Sequence, residues 1–191
     1  EMYDPEFEID ICLNDGSWYP SLIEGVRGPG FGHGFSNTIV LHGQLDVAVN
    51  QVELRGYRWN LEQLLAHEAV HCYQFRALGF WDANPMGGHP NWKWEGYPEY
   101  VSRQSADQRS LYENIQRIEH FDFENEWAVT FADGTISPGQ YYADWLLVQY
   151  CMGEKGLSFR ELLADTKERT VWEAEMMEWF EGEKLAREKV N

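Results

Sequence analysis

The period of the apolar residues changes once along this chain, near Arg58, and that change restricts the fold more than any other feature. Before it, Phe7 to Leu13 alternates apolar and polar side chains, and Thr38 to His42 offers a second short apolar run; a period of two marks strands. After it, apolar positions recur at helical spacing. No repeat, low-complexity tract or Pro/Gly/Ser linker divides the 191 residues. The order therefore predicts one α+β domain over residues 1–191, a short N-terminal β-sheet followed by a mainly helical C-terminal half.

Local signals place the elements. Asn14-Asp15-Gly16 closes the first strand as a turn, and Gly25 to Gly34, with five glycines and Pro29, reads as an irregular loop with special backbone angles. Asn60 serves as an N-cap with Gln63 three residues on, and Gly79 marks a stop, which predicts a helix over residues 61–78. A loop from Gly79 to Pro90 leads to a second helix from about Glu95 to about His120, with Pro98 in its first turn, where an amide has no acceptor to lose. Trp127 to Ile136 carries Asp133-Gly134, a hairpin signal. Three further helices are expected over about 139–152, 158–167 and 171–189.

Charge removes whole classes of function. With 15 Lys+Arg against 32 Asp+Glu, the formal charge of −17 repels phosphate backbones and anionic membranes, so no nucleic-acid partner is expected. No apolar stretch reaches the roughly 20 residues of a membrane span, so no membrane insertion by this segment is expected. The chain starts at Glu1 rather than Met, which leaves room for an upstream signal or anchor and leaves the compartment open; the oligomeric state is equally open. Cys12, Cys72 and Cys151 are odd in number and far apart, so they are expected as buried free thiols.

The chemistry concentrates in His67-Glu68-Ala69-Val70-His71, inside the first long helix. Residues four apart share a helix face, so both imidazoles can reach one tetrahedral Zn2+, with Glu68 offset to hold a water beside it. A catalytic zinc needs a third protein ligand and an open position. Trp94-Glu95-Gly96-Tyr97-Pro98-Glu99-Tyr100 offers two carboxylates, again four apart. If this helix packs beside the first, one of Glu95 and Glu99 can bind metal while the other holds a ligand histidine by its second ring nitrogen. His33, His42, His89 and His120 read as isolated histidines in surface or capping positions.

These two motifs together resemble the gluzincin metallopeptidases, of the thermolysin and alanyl-aminopeptidase type, whose downstream motif reads roughly E-G-F-A-E-Y. The resemblance covers about Asn60 to Val101. It implies a zincin-like catalytic domain with one catalytic Zn2+, metal ligands His67, His71 and Glu95, Glu68 as general base, and Glu99 as the acid that orients His67. It further implies an oxyanion-binding tyrosine on a later helix, for which Tyr141 and Tyr142, ahead of Trp145-Leu146-Leu147-Val148, stand in the right place, Tyr141 being favoured by the spacing. Thr38, Ile39 and Val40 hold the position of the edge strand on which such enzymes lay an extended substrate.

Three departures qualify the likeness. There are 23 residues between His71 and Glu95, a few more than is usual in those families, so Gly79 to Pro90 would be an inserted loop over the cleft. Pro98 replaces the usual alanine. Gly34-Phe35-Ser36-Asn37 stands where the aminopeptidases carry a glutamate that reads a free amino terminus, and that glutamate is missing. The expectation is thus a minimal zinc metallopeptidase acting on peptide or protein substrates, an endopeptidase rather than an aminopeptidase. The alternatives are a zinc hydrolase of a non-peptide amide or ester and a catalytically silent zincin-fold binding module.

Overall fold

A computed structural model describes residues 4–13, 18–27 and 30–189. The architecture is mixed α and β with small sheets, and the chain divides into two compact units: Glu1–His89 with Thr130–Ser137, and Pro90–Val129 with Pro138–Asn191.

In the first unit, β1 (Asp10–Cys12), β3 (Thr38–Leu41) and β2 (Gly32–Phe35) form one sheet in that order, with β1 parallel and β2 antiparallel to β3. A second antiparallel sheet follows from β4 (Gln44–Asp46), β5 (Gln51–Leu54) and β6 (Tyr57–Asn60). The long helix α2 (Leu61–Leu78) leaves β6 without a linker. Its apolar face closes a core of Ile39, Leu41, Val52, Trp59, Leu61, Leu64 and Cys72, to which both sheets contribute. A ten-residue helix, α1 (Trp18–Arg27), connects β1 to β2 and packs against β3.

The start of α2 is fixed twice. Asn60 Oδ1 accepts from Gln63 N at 3.0 Å, and Asn50 Oδ1 accepts from Glu62 N at 2.9 Å. Two of the four first-turn amides that a helix leaves unpaired are thereby satisfied by side chains. Asn50 reaches this position from the β4–β5 turn in a left-handed conformation, φ 55°, which asparagine tolerates better than most residues. Gly79, φ 79°, ends the helix, its N–H donating to Phe75 O.

The second unit contains α3 (Asn91–Ser102), α4 (Leu111–Arg117), α5 (Gly139–Gln149), α6 (Phe159–Ala164) and α7 (Arg169–Glu188). The α5 helix runs on into a wider turn over Tyr150–Glu154. Helices α3 and α5 lie in close contact at Gly96, where a Cβ would come 2.7 Å from both Asp144 O and Val148 Cγ2. Trp145, Leu147 and Val148 are fully buried around that crossing. A hairpin, β7 (Ala128–Thr130) and β8 (Ile136–Pro138), carries the chain out of this unit and back.

Several expectations are corrected. Residues 14–16, read as a turn, lie outside the described residues, as do residues 28–29 of the glycine-rich segment. The loop expected there is shorter than the sequence suggests: Gly25 belongs to α1, and Gly32 to Phe35 is a strand. None of Gly25, Gly30, Gly32 and Gly34 has a positive φ, so these residues serve something other than unusual backbone angles. The helix expected from about Glu95 to His120 starts earlier, at Asn91, and is broken after Ser102. It resumes at Leu111 because Ser110 caps a new start, accepting from Glu113 N at 3.3 Å. Pro98 accordingly stands inside α3 rather than in its first turn. Among the described residues no helix is long and apolar enough to cross a membrane.

Burial separates the three thiols. Cys72 and Cys151 are fully buried and Cys12 is partly exposed; burial also pushes the Cys151 thiol up to about 12, away from its nucleophilic thiolate form. An aromatic disulfide reagent at pH 8 is therefore expected to titrate one thiol in the native protein and three in denaturant. Rapid native reaction of a second thiol would contradict the buried placement.

Candidate metal centre

In the first unit, helix α2 carries His67, Glu68 and His71, all buried. The two rings are neighbours on one helix face, with centroids 4.9 Å apart and planes at 72°. His67 Nε2 and His71 Nε2 approach to 3.2 Å. Two imidazole nitrogens bound to one tetrahedral zinc at about 2.0–2.1 Å stand about 3.3 Å from each other, so the pair already has the spacing of two ligands of a single ion.

The tautomer of His71 is set by its other nitrogen. His71 Nδ1 lies 2.8 Å from Gln74 Oε1, and Gln74 is fully buried. An amide oxygen can only accept, so Nδ1 donates this hydrogen bond, and in the neutral ring the lone pair is on Nε2, the atom that approaches His67. Sequence reasoning does not single out Gln74; its position three residues after His71, one turn along the same face, is the signal that could have found it.

Glu68 is held by β2. A Cβ on Gly32 would come 2.9 Å from Glu68 Oε1, and one on Gly34 would run into the Glu68 carbonyl oxygen. These two glycines therefore let the strand lie directly on the helix at Glu68. Any side chain at Gly34 would lift α2 away or displace the strand.

In the second unit, α3 carries Glu95, half-buried, and Glu99, fully buried. Glu99 Oε2 accepts from Arg103 Nε one turn on, and the Arg103 guanidinium stacks over Trp145 at 5.2 Å. On α5, Asp144 is buried and accepts from Arg169 at 2.7 Å and from Gln140 at 2.8 Å. Burial raises its carboxyl above the usual range against the pull of Arg169, and the neighbouring charge of Glu95 adds to the rise.

The two candidate tyrosines part company. Tyr142 is fully buried, its hydroxyl donating to Asn114 O and accepting from Arg117 Nη1, both at 3.1 Å, and burial raises its pKa. It is a core residue of the second unit, which corrects its assignment to oxyanion binding. Tyr141 is half-buried. The expected edge strand is also corrected. Thr38, Ile39 and Val40 lie on the central strand β3, paired on one side with Asp10, Ile11 and Cys12 and on the other with Phe35, Gly34 and His33. Both sides of their backbone are engaged by neighbours, and the sheet's edges are β1 and β2.

Comparison with protein-family models, with curated proteins and with solved structures gives no match to this chain.

The contact at Gly34 yields a stability test. Gly34→Ala is expected to destabilise the protein by about 1–3 kcal/mol, the usual range for overpacking. Gly182→Ala is the counterpart: it lies inside α7, where an added Cβ would meet nothing within 4 Å, and should stabilise by about 0.5–1 kcal/mol through helix propensity. Chemical denaturation midpoints check both, and an unchanged Gly34→Ala would mean that β2 can move off Glu68 freely.

Proposed function

We propose that this protein is a zinc-dependent peptidase, an endopeptidase rather than an aminopeptidase, with a gluzincin-like site in which His67, His71 and Glu95 hold one zinc ion and Glu68 is the general base. The observation that carries the reading is the 3.2 Å approach of the two Nε2 atoms, which matches two nitrogens on a single ion. Its donor chemistry agrees: α2 offers two buried imidazoles on one face, and Glu95 is the carboxylate this reading adds to them. Two imidazoles and one carboxylate suit zinc and leave a coordination position for water or substrate.

A zinc ion held there supplies Lewis acidity, polarising a scissile carbonyl and bringing the pKa of water toward 7. The protein's own groups do the rest. Glu68 accepts a proton from water at a carboxylate oxygen and passes it to the leaving nitrogen. Gly32 and Gly34 hold Glu68 in place by closing β2 on it. Gln74 keeps the Nδ1 proton on His71. With the Tyr142 hydroxyl engaged by Asn114 and Arg117, oxyanion stabilisation is assigned to Tyr141. An extended substrate would pair with β2, the edge strand that lies on Glu68, in place of the central β3.

Glu68→Gln is expected to retain zinc, measured by elemental analysis, and to lower hydrolysis of a mixed peptide library by about 100-fold or more. Glu95→Ala should weaken zinc retention. A wild-type protein that takes up no zinc at His67 and His71 overturns the reading, and so does one that binds zinc there without cleaving peptides. Tyr141→Phe should lower kcat by about 100-fold if its hydroxyl binds the oxyanion, whereas Tyr142→Phe should reduce stability and leave kcat within a few-fold.

A further inference from the structure

A second pair of histidines faces each other on the opposite side of the same sheet. In the β2–β3 ladder, Gly32 pairs with Leu41 and Gly34 with Ile39, on the face turned to α2 and Glu68. His33 pairs with Val40 and points the other way, as strand alternation requires. His42 continues β3 by one residue, its N–H donating to Phe31 O at 2.8 Å, so its ring falls on the His33 face. The two rings stand with centroids 5.1 Å apart and planes at 74°. The ring separation is close to the 4.9 Å of His67 and His71 and to the roughly 5 Å between two imidazoles on one tetrahedral ion, although the ring nitrogens do not meet as Nε2 of His67 and His71 do.

His42 supplies the second observation. Its side chain is 3% exposed, against the surface or capping position expected of it, and its Nε2 is buried without a hydrogen-bond partner. A buried ring nitrogen left unbonded is costly and calls for a partner that supplies either a proton donor or an empty orbital. We propose that His33 and His42 form a second metal-binding site, distinct from the His67 and His71 pair, for a borderline divalent transition cation such as zinc, cobalt or nickel.

The chemistry of the surroundings agrees with this class of ion. Imidazole nitrogen suits borderline transition metals, whereas calcium and magnesium require oxygen ligands. Burial lowers the His42 pKa, which favours the neutral ring that a ligand must be. Glu24, on α1, is the acidic group whose charge reaches His42, and one of its oxygens is held by Arg55 Nη2 at 2.7 Å. A dication between the rings gains from that carboxylate. His33 is only partly buried, which gives the ion a side of entry.

The proposal stands independently of the hydrolase reading, and one set of variants separates them. Protein stripped with a chelator is titrated with Co2+ while its visible absorption is followed, and zinc per chain is measured after gel filtration. The wild type should bind two equivalents. His67→Ala/His71→Ala should bind one, and adding His42→Gln should remove it. His33→Gln, at the less buried ring, should weaken that remaining equivalent at least 10-fold even if the His42 variant folds poorly, with circular dichroism as the check on folding. No Co2+ or zinc on the folded His67→Ala/His71→Ala protein would overturn the second site and leave the first intact. One equivalent that survives loss of His67 and His71 but not of His33 would support the second site, whatever the fate of the peptidase reading.

Discussion

The contact between β2 and α2 at Glu68 is the constraint on which the candidate site depends. A helix whose side chains project about 5 Å from its axis rests on a sheet at a distance set by the side chains between them. At Gly32 and Gly34 there are none, so the strand reaches the backbone and carboxylate of Glu68 directly. This fixes the rotation of α2 as well as its depth. With Glu68 turned to the strand, His67 and His71 are carried to an adjacent face of the helix, where their Nε2 atoms meet. The sheet must then take its own stability from the other strand positions, which is why Ile39 and Leu41, the partners of the two glycines, are almost wholly buried beneath Leu64 and Cys72.

The axial position of α2 is fixed by different groups. Asn60 and Asn50 both accept first-turn amides, and Asn50 Nδ2 also donates to Asn60 Oδ1 at 3.2 Å. Each cap is of a kind worth about 1 kcal/mol, but the linkage matters beyond that sum. Asn50 belongs to the β4–β5 turn, so the second sheet and the helix start are one hydrogen-bonded piece. Helix, glycine strand and capping turn together determine where the imidazoles lie, and all three belong to the first unit.

The sequence makes legible what neighbouring residues decide. The bounds of α2 follow from Asn60, Gln63 and Gly79, the β7–β8 hairpin from Asp133-Gly134, and the α6 start from Ser158, whose hydroxyl accepts from Glu161 N. What escapes is set by partners distant in sequence. Gly32 and Gly34 read as loop residues because glycine usually signals backbone freedom, whereas here it provides room for Glu68, 36 and 34 residues away. Strands β4 to β6 are three or four residues long, too short to show a period. The central place of Thr38 to Val40 depends on β1 pairing in parallel across α1, a crossover that no local pattern announces. Tyr141 and Tyr142 are indistinguishable by type, and only the position of Asn114 and Arg117 makes one of them a core residue.

The partner chosen for His71 has a chemical consequence. Gln74 is a neutral amide whose oxygen can only accept, so it selects the Nδ1–H tautomer of the neutral ring while adding no negative charge. A carboxylate at that position would draw the Nδ1 proton toward itself and make Nε2 more electron-rich, tightening a cation but quenching more of its charge. With an amide the ring stays a weaker donor, and a bound dication keeps more of its power to polarise. Under the proposed function the formal anions offered to the ion would be Glu95 and Glu68, and an ion so held would be suited to acting on substrate rather than only to bracing a fold.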